Sequence, residues 1–343
     1  MAPKFRGDSE DWLDDEAVQG NVKAAIKPKK ARGRAAPLLW EQANGIVVEV
    51  FPKQCKVRME EGAEILCSYR RAEVISESQK ERERSPVAVG DRVLARTLSP
   101  DAGVVEGICA RKNSLVRPAP DQASKKIRHV VAANVDVLVI VASVERPKFS
   151  PGLVDRYLVA AQASGIYPLI CLNKIDLLSE GEEKPWNIYR DLGFDEVRVS
   201  AKRGNGMEEL RGKLLEQWRG KTIVFCGQSG VGKTSLLRTF LGVEIGKIGE
   251  VSDATGKGRH TTTGAILLQG PAGCQWIDTP GIREFGLLGV EPESLAGFFP
   301  EFARLECSRS GCFHVDEEGC QATELPRYPS YRRLFESLRA GEF

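Results

Sequence analysis

The sequence of 343 residues predicts a multidomain protein with an all-β barrel of the OB type, an α/β domain with a parallel sheet, and a small helical domain. Three observations support this order. Short strand-like runs separated by turns fill residues 37–115, strands and helices alternate over 116–290, and cysteines cluster with a histidine within 291–343. Residues 1–36 lack apolar periodicity, which predicts a disordered arm.

Composition and charge limit the class of protein. A hydrophobic content of 42% and a net charge of +2 are ordinary for a globular protein, so contact with nucleic acid must come from local patches. The run VVAANVDVLVIVAS contains Asn134 and Asp136 and is too short to span a membrane. Several of the nine cysteines lie in apolar runs, as buried thiols of a reducing compartment do, and the acidic N-terminus is unlike a signal peptide. We therefore expect a cytoplasmic protein that does not bind membranes, and we expect a monomer.

The arm carries an acidic block followed by a basic block that runs from Lys23 to Arg34. Such charge runs are usually solvated, so a solubilising tail is one interpretation. A basic arm that touches RNA phosphate is the other, and the sequence leaves both open.

Five strand-like runs make up the predicted barrel: NGIVVEVF, QCKVRME, ILCSY, DRVLART and AGVVEGIC, with VGD and PDAG as turns. Five short strands in this length suit a small OB-type barrel. Such barrels often bind single-stranded nucleic acid through a basic face, which Tyr69, Arg70 and Arg71 would offer here. A barrel that serves only as a structural spacer is the alternative.

Beyond residue 130, buried strands alternate with amphipathic helices. The run VDVLVIVAS is continuously apolar, as expected for a strand that is covered on both faces. GLVDRYLVAAQASG and MEELRGKLLEQW have helical spacing, and YPLICLNKID, EVRVSAK and KTIVFCGQSG have the pattern of further strands. This alternation predicts a parallel sheet with flanking helices.

The stretch GQSGVGKTS matches the phosphate-binding pattern G-x-x-x-x-G-K-[ST], between a strand and the helix KTSLLRTFLG. Backbone N–H groups of such a loop point at phosphate oxygens, and the helix N-terminus adds a positive partial charge. Lys233 should bridge the β- and γ-phosphates and Thr234 should hold Mg²⁺, so both belong to the catalytic machinery. The predicted nucleotide-binding residues of this loop are Gly227, Gln228, Ser229, Gly230, Val231, Gly232, Lys233, Thr234 and Ser235.

Two further loops follow strands and therefore lie at the carboxyl edge of the sheet, where α/β proteins bind ligands. They are NKID, with Asn173, Lys174, Ile175 and Asp176, and SAK, with Ser200, Ala201 and Lys202. The Asp176 carboxylate can accept hydrogen bonds from guanine N1–H and the exocyclic amine, whereas adenine presents an acceptor at N1. Asn173 and the backbone of Ala201 can complete recognition at O6 and N7, and Lys174 can lie along the base. The three loops together predict a GTP site.

Two segments after the phosphate loop have the character of nucleotide-sensing switches. In DTPG, Asp278 is placed to hold Mg²⁺ through water, and Gly281 to donate its N–H to the γ-phosphate. The preceding segment GKGRHTTTGAI is polar and rich in glycine, which predicts a mobile loop. A threonine among Thr261, Thr262 and Thr263 should ligate Mg²⁺ when triphosphate is bound.

The loop order differs from that of ordinary small GTPases, because base recognition precedes the phosphate loop and the switches. The same sheet can form from a chain that has been cut and rejoined, so we predict a circularly permuted P-loop GTPase domain over 116–290. The second switch then leads directly into the C-terminal segment. We hypothesise that the nucleotide state acts on that segment through this connection.

Four metal-ligating residues stand in the spacing C-x₄-C-x-H-x₅-C near the C-terminus: Cys307, Cys312, His314 and Cys320. Three thiolates and one imidazole match a closed structural Zn²⁺ site, which has no open position for catalysis. We predict one zinc per chain in a small zinc-binding helical domain over 291–343, with buried free thiols as the alternative. The remaining cysteines lack ligand spacing and should pack in the interior: Cys55, Cys67, Cys109, Cys171, Cys226 and Cys274.

The C-terminal tail LPRYPSYRRLFESLRA combines arginines with two tyrosines: Arg327, Arg332, Arg333, Arg339, Tyr328 and Tyr331. Arginine and aromatic side chains together suit RNA phosphates and exposed bases. A solvated helix face is equally consistent with this pattern. His129, a lone histidine before a core strand, should pack rather than react.

The permuted order, the leading barrel, the motifs GRHTTT and DTPGIREFGL, and the Cys/His cluster together resemble the ribosome small-subunit-dependent GTPase A family (RsgA, also called YjeQ). The resemblance covers about residues 40–335 and leaves the arm outside. It implies an OB barrel, a permuted GTPase domain and a zinc-binding helical domain. It also implies GTPase activity that the small ribosomal subunit stimulates, in the service of late maturation of that subunit.

One position departs from ordinary GTPases, which carry a water-orienting glutamine after DTPG. This sequence has Ile282 there, which cannot hydrogen-bond to water, so slow intrinsic hydrolysis is expected. His260 lies beside the switch threonines, and its neutral imidazole is the catalytic candidate to position water. Contact with RNA, or shaping of the loop, is the alternative role for His260.

We therefore predict a GTP hydrolase that docks on small-subunit rRNA through the barrel and the zinc-binding domain, with the GTP state controlling its release. The first alternative is an RNA-binding module with a regulatory, barely hydrolysing GTP site. The second is an ATPase, for which Asp176→Asn would leave nucleotide choice unchanged.

Overall fold

The computed structural model describes residues 38–69, 82–83, 86–117, 127–179, 184–241, 265–278, 285–287, 289–305, 307, 311–315 and 317–341. Its strands, in chain order, are β1 (Gly45–Phe51), β2 (Gln54–Met59), β3 (Glu64–Ser68), β4 (Arg82–Glu83), β5 (Arg92–Ser99), β6 (Ala102–Ile108), β7 (Ser114–Arg117), β8 (Ile127–Ala133), β9 (Val137–Ser143), β10 (Tyr167–Asn173), β11 (Glu196–Arg198), β12 (Thr222–Cys226), β13 (Ile266–Gln269) and β14 (Gln275–Asp278). The α-helices are α1 (Pro151–Ala163), α2 (Asn187–Asp191), α3 (Met207–Gly212), α4 (Lys233–Leu241) and α5 (Tyr328–Ala340). Short 3₁₀ helices cover Trp40–Gln42, Ile175–Leu177, Pro271–Gly273, Pro292–Phe298, Pro300–Arg304 and Gln321–Glu324, and a π turn, Lys213–Gln217, extends α3.

Five strands close into a barrel in the order β1–β2–β3–β6–β5, with β1 returning to β5. The β3–β6 pair is parallel and the other pairs are antiparallel. Because side chains alternate along a strand, one set faces inward, and Val47, Val57 and Val93 are fully buried there. Gly45 leaves room for this core, since a Cβ there would lie 2.6 Å from Val57 Cγ1. The five predicted strands are therefore confirmed, and so is the OB-type barrel.

A second group of strands forms the α/β sheet, in the order β13–β14–β12–β9–β10–β11. Only β13 pairs antiparallel to its neighbour within this group. The chain enters the sheet at β9, in the middle, and reaches β12 only after building β10 and β11. This is the circularly permuted arrangement that the motif order predicts.

Two apolar layers cover this sheet, and β9 is buried along its whole length between them. Helix α1 and the C-terminal elements lie on one face, where Tyr157 and Tyr331 belong to the same core. Helices α3 and α4 cover the other face with Leu210 and Phe240 among their buried residues. The predicted parallel sheet with flanking helices is confirmed.

The barrel and the α/β sheet are continuous, because β1 also pairs with β13 through Glu49 and Ile266. Arg58 of β2 adds hydrogen bonds to Gln269 Oε1 (3.2 Å) and to the Leu267 carbonyl oxygen (3.4 Å). Residues 38–343 cluster into one compact unit.

A smaller sheet, β4–β8–β7, was not predicted from the sequence. Strand β8 carries His129 opposite Arg117 of β7, so His129 lies within a strand rather than before one. The apolar sequence of β8 runs on into β9, and Asn134, with φ of +58°, marks the break between them. Sequence periodicity alone did not separate the two strands.

The C-terminal helix α5 packs on α1 and on the preceding 3₁₀ helices through Phe299, Phe302 and Tyr331. Arg327, directly before α5, is 2% exposed and bonds to buried acids, and Tyr328 and Tyr331 are buried as well. The prediction that these three side chains face RNA or solvent is wrong, because they form the apolar and ionic underside of α5. Arg332, Arg333 and Arg339 are exposed, as predicted for the tail.

The cysteines without ligand spacing are all buried, which confirms their predicted packing role: Cys55, Cys67, Cys109, Cys171, Cys226 and Cys274. Among the residues that the structure describes, no helix is both long enough and apolar enough to cross a membrane.

Candidate active site and metal cluster

The phosphate loop runs from the end of β12 to the start of α4, in the setting that the sequence predicts. Three glycines make the turn with φ of +140° at Gly227, +81° at Gly230 and +103° at Gly232. A Cβ at Gly227 would lie 2.1 Å from the Val141 carbonyl oxygen of the neighbouring strand β9. The loop therefore depends on glycine both for its backbone angles and for its close approach to the sheet.

Lys233 lies across this loop. Its Nζ donates hydrogen bonds to the carbonyl oxygens of Gly227 (2.7 Å) and Gln228 (3.0 Å). Burial lowers its pKa, and the Asp278 carboxylate opposes that shift. Thr234 and Ser235 follow on the first turn of α4 and are exposed. A cationic amine and an open helix N-terminus are thus held at the same loop, as phosphate binding requires.

Asn173 connects the three predicted nucleotide loops. Its Nδ2 donates to the Val231 carbonyl oxygen in the phosphate loop at 2.8 Å. Its Oδ1 accepts from the backbone N–H of Ala201 (3.0 Å) and of Lys174 (2.8 Å). The side chain is 2% exposed, so these bonds form away from water. The two loops NKID and SAK and the phosphate loop therefore meet at one edge of the sheet.

Asp176 lies beside this junction at the end of the NKID loop. Its Oδ1 accepts a hydrogen bond from Ser200 Oγ at 2.6 Å, and Arg203 Nε lies 3.9 Å from its Oδ2. The Ser200 hydrogen bond is the main cause that lowers the Asp176 pKa. The carboxylate is therefore ionised at neutral pH and keeps acceptor capacity for a ligand.

Lys174 and the loop after β9 also lie at this carboxyl edge of the sheet. Lys174 adopts φ of +64°, and its Nζ donates to the Arg146 carbonyl oxygen in the loop after β9. Ile175 begins the short 3₁₀ helix that leads into Asp176. Lys202 is exposed in the SAK loop.

Among the residues predicted for the two switch segments, the structure describes only Asp278. Asp278 ends β14 next to the phosphate-loop strand, and its charge acts on the pKa of Lys233, so the two are close. His260, Thr261, Thr262, Thr263, Gly281 and Ile282 lie outside the residues that the structure describes, as do Arg70 and Arg71 of the barrel.

The Cys/His cluster forms a compact ligand set: Cys307, Cys312, His314 and Cys320. The four ligand atoms lie within 4.8 Å of one another. His314 Nδ1 is 3.5 Å from Cys307 Sγ, 3.6 Å from Cys312 Sγ and 3.3 Å from Cys320 Sγ. These separations are those of neighbouring ligands around one tetrahedral ion, so the cluster is able to hold a metal.

Sequence reasoning missed the contacts that attach this cluster to the rest of the chain. Glu317 accepts from the backbone N–H groups of Phe313 (2.7 Å) and Val315 (2.8 Å). Tyr331 and Tyr328 of α5 donate to the carbonyl oxygens of the same two residues at 2.5 and 2.9 Å. No local sequence pattern predicts these pairs, and both tyrosines were expected on an RNA-binding or solvated surface.

A buried ionic cluster also escaped the sequence analysis. Arg327 Nε donates to Asp155 Oδ1 on α1 at 2.8 Å, and its Nη1 lies 3.0 Å from Glu301 Oε2. Tyr189 donates to the same Asp155 oxygen at 2.9 Å. The partners lie on distant parts of the chain, so only the fold brings them together.

Comparison with known proteins identifies the family. The family model described as RsgA GTPase matches residues 108–288, which is more than half of the chain. The chain belongs to the RsgA GTPase family. It is therefore a GTP hydrolase, in agreement with the three converging loops, and the resemblance drawn from the motifs is confirmed.

Curated members of the RsgA GTPase family are similar over most of the chain. A protein of Haemophilus influenzae (strain 86-028NP) named "Small ribosomal subunit biogenesis GTPase RsgA" is 37% identical over 319 residues, which cover 88% of this chain and 86% of that protein. A protein of the same name from Chlorobaculum parvum is 38% identical over 316 residues, covering 87% and 99%.

Solved structures agree with these relatives. The crystal structure of YjeQ from Thermotoga maritima is 32% identical with a TM-score of 0.62, and covers 87% of this chain and 98% of that one. The crystal structure of YloQ, described as a circularly permuted GTPase, is 26% identical with a TM-score of 0.58, and the match covers 86% of this chain and 94% of that one. The permuted strand order of this chain thus agrees with its similarity to YloQ.

Proposed function

We propose that this GTPase assists late maturation of the small ribosomal subunit, binds its rRNA, and uses the GTP state to control its release. The observation that carries the proposal is the convergence of the three nucleotide loops on Asn173 in a chain whose relatives are named small ribosomal subunit biogenesis GTPases. Turnover is stimulated by the subunit, because Ile282 replaces the water-orienting glutamine of ordinary GTPases and intrinsic hydrolysis is slow.

The nucleotide roles follow from donor and acceptor chemistry. Asp176 accepts from guanine N1–H and the exocyclic amine, and the second Asn173 N–H serves the other edge of the base, as does the Ala201 N–H when it exchanges Asn173 Oδ1 for the base. Lys233 binds the β- and γ-phosphates between the N–H groups of the phosphate loop. Thr234 and Asp278, with Thr261 or Thr262, hold Mg²⁺, and Gly281 contacts the γ-phosphate. His260 positions the attacking water.

The metal that the Cys/His cluster holds is Zn²⁺. Zinc–sulfur and zinc–nitrogen bonds of about 2.3 and 2.0–2.1 Å in a tetrahedron place sulfur and nitrogen ligands about 3.6 Å apart. The separations of 3.3–3.6 Å from His314 Nδ1 fit this spacing. The ion is structural, since four protein ligands leave no open coordination position.

One surface of the barrel supports RNA binding. Trp40 lies under two cations, with Lys112 Nζ 4.1 Å and Arg92 Cζ 5.3 Å from the ring centroid. Leu39 beside it is 61% exposed. A combination of cationic and aromatic groups suits single-stranded RNA, whose phosphates and bases need both. Tyr69, by contrast, packs partly buried against the barrel core.

Co-sedimentation with purified small subunits tests the proposal. The full chain should pellet with the subunit in the presence of a non-hydrolysable GTP analogue, and largely remain in the supernatant with GDP. Steady-state phosphate release should rise when subunits are added. Equal pelleting with both nucleotides, or turnover that subunits do not change, would contradict the proposed role. The second outcome would favour the RNA-binding module with a regulatory GTP site.

A further inference from the structure

A groove of about 830 Å³ lies between the phosphate loop, the N-terminal turn of α1 and helix α5. Gln228 and Ser229 of the phosphate loop form one wall, and Ser330 and Arg333 of α5 form another. The only charged residues among the described lining are Arg156 and Arg333, and both are cationic. The groove is therefore a positively charged space that opens directly beside the phosphate loop.

The start of α1 adds positive potential to the groove. Its N-cap residue Ser150 makes no side-chain cap hydrogen bond, and its first turn contains no acidic residue. Pro151 has no N–H, and the N–H groups of Leu153 and Val154 both share the Ser150 carbonyl oxygen at 3.2 Å. The N-terminus of this 13-residue helix thus faces the groove with its partial positive charge uncompensated within its own turn.

Arg333 places a second positive charge against this helix end. Its Nη2 is 3.0 Å from the position that a Cβ on Gly152 would occupy, so the guanidinium lies over the first turn of α1. Its Nε donates to the Pro329 carbonyl oxygen of its own helix at 3.1 Å. Within the described residues Arg333 has no acidic partner. Two positive groups that face each other repel, unless an anion lies between them.

Ser330 supplies an independent indication of a ligand. The side chain is 3% exposed and lines the groove, and its Oγ lies 3.6 Å from the same Cβ position on Gly152. Its hydroxyl has no hydrogen-bond partner among the residues that the structure describes. The hydroxyl opens onto the groove, where a bound oxyanion would accept its hydrogen bond.

We propose that this groove is a second phosphate-binding site, separate from the phosphate loop, which takes the inorganic phosphate that GTP hydrolysis produces. The guanidinium fork of Arg333, the Ser330 hydroxyl and the Gly152 N–H at the helix start are the donors, and Arg156 adds positive charge. Guanidinium groups and helix N-termini both suit phosphate oxygens. Because the groove is larger than the ion, phosphate keeps part of its hydration shell and binds with a dissociation constant on the order of millimolar.

The position of the groove gives phosphate a route out of the active site. Phosphate that leaves the phosphate loop past Gln228 and Ser229 enters a site whose far wall is α5. A phosphate bound there would contact α1 through the Gly152 N–H and α5 through Arg333 and Ser330. This inference does not rest on the proposed ribosomal role, and it concerns only the product of the GTPase reaction.

Phosphate titration of the full chain saturated with GDP, followed by calorimetry at constant ionic strength, tests the site. Arg333→Gln should weaken phosphate binding about tenfold, which corresponds to about 1.4 kcal/mol, and Ser330→Ala should weaken it about threefold. Arg333→Lys should retain part of the affinity, because the charge remains without the fork. The matched control is Arg332→Gln, which removes the same charge from an exposed neighbour paired with Glu336, and should stay within about twofold.

Three outcomes would overturn the proposal. One is phosphate affinity in Arg333→Gln within twofold of the parent chain, when the thermal midpoint shows that the variant is folded. The second is loss of phosphate binding in Lys233→Met alone, because the ion would then lie in the phosphate loop. The third is weakened binding of a single-stranded RNA oligonucleotide by Arg333→Gln with unchanged phosphate affinity, which would assign the groove to RNA backbone.

Discussion

Position 232 requires glycine for two reasons: its backbone conformation and the close approach of a neighbouring side chain. The residue adopts φ of +103°, and a Cβ there would lie 2.3 Å from Asn173 Nδ2. Asn173 in turn bonds the phosphate loop to the SAK loop through Val231 and Ala201. A single methyl group at Gly232 would therefore disturb all three nucleotide loops.

Gly232→Ala should weaken GTP binding by at least about tenfold, because Asn173 must leave its position or the loop must adopt another conformation. Fluorescence titration with a labelled GTP analogue measures this. Gly212→Ala is the matched control, since Gly212 has helical angles and no atom within 4 Å of its Cβ position. It should leave GTP affinity unchanged and stabilise the fold by up to about 1 kcal/mol. Equal GTP affinity in the two variants would contradict the role of the contact.

Asp176→Asn should move base preference from guanine towards xanthine. In the proposed site the carboxylate would accept from two guanine donors, whereas the amide would offer one acceptor and one donor, which suit xanthine N1–H and O2. Competition between GTP and xanthosine triphosphate measures the change. Retained guanine selectivity would mean that another residue reads the base. Ser200→Ala is a useful companion, since it removes the hydrogen bond that lowers the Asp176 pKa.

At the scale of elements, α1 and α5 are joined by buried charge rather than by apolar packing alone. Arg327 bonds to Asp155 and Glu301, and its guanidinium carbon lies 4.6 Å from the centre of the Phe299 ring. Within the described part of the chain, Asp155 Oδ2 and Arg327 Nη2 are buried without a hydrogen-bond partner. The pair is thus expensive to break, because removal of one partner leaves uncompensated charge in the interior.

Arg327→Met should lower the free energy of unfolding by about 3–5 kcal/mol, as measured by denaturant titration. Arg332→Met on the same helix, with its exposed partner Glu336, should cost about 0.3–0.5 kcal/mol. Burial raises the Glu301 pKa and Arg327 opposes that shift, so the variant raises this pKa further. A raised folded-state pKa means that stability is lost as pH increases through it, and the deficit of Arg327→Met should grow from acid to neutral pH. A deficit no larger than that of Arg332→Met would contradict the buried pair.

The metal cluster and α5 form one structural element through the tyrosine hydrogen bonds to Phe313 and Val315. Protein purified without chelator should contain one zinc per chain by elemental analysis. Cys320→Ser should lose the metal and lower the thermal midpoint, while Cys274→Ser, at a buried cysteine outside the cluster, should keep the metal. Absence of metal from the unmodified chain would refute the assignment.

At the scale of the whole molecule, the C-terminal segment is linked to the active site in two ways, through the chain connection and through a shared groove. Strand β14 ends at the nucleotide edge with Asp278, shortly before this segment in the chain, and α5 lines the groove beside the phosphate loop. A change at the nucleotide therefore reaches α5 over a short distance. The domain boundaries 37–115, 116–290 and 291–343 remain a prediction within this arrangement.

Limited proteolysis should cleave the C-terminal segment at different rates with a non-hydrolysable GTP analogue and with GDP. The reason is that the second switch directly precedes the C-terminal segment in the chain, and that α5 lines the groove beside the phosphate loop. Lys233→Met, which cannot hold the triphosphate, should remove the difference. Equal cleavage of the unmodified chain with both nucleotides would count against coupling.

Much of this architecture is predictable from local sequence. The five barrel strands and β9, β10, β11 and β12 of the α/β sheet were located because their apolar runs and turn residues act over a few positions, whereas β13 was not predicted. The phosphate loop and the metal ligands were found because their chemistry requires particular residue types at short spacing. Strands β4, β7 and β8 were missed, since a four-residue strand such as β7 has no pattern apart from its pairing partner.

Side-chain environments could not be predicted in the same way. Arg327 and Tyr331 have the composition of an RNA-binding surface, yet both are buried, because α5 turns that face towards α1. Arg333, on the same helix, remains exposed beside the groove. Sequence periodicity separates the faces of a helix. It does not indicate which acidic residues from distant parts of the chain will pair with a buried arginine.

The sequence by itself determined the order of the nucleotide loops, the chemistry of guanine and metal recognition, and the permuted fold, because each depends on residues that are close in the chain. Only the tertiary structure decided that Asn173 ties the loops together, that Arg327 is a buried charge, and that Arg333 faces a helix end beside the phosphate loop. These contacts join residues far apart in sequence, and the free energy that selects them comes from burial and charge in three dimensions.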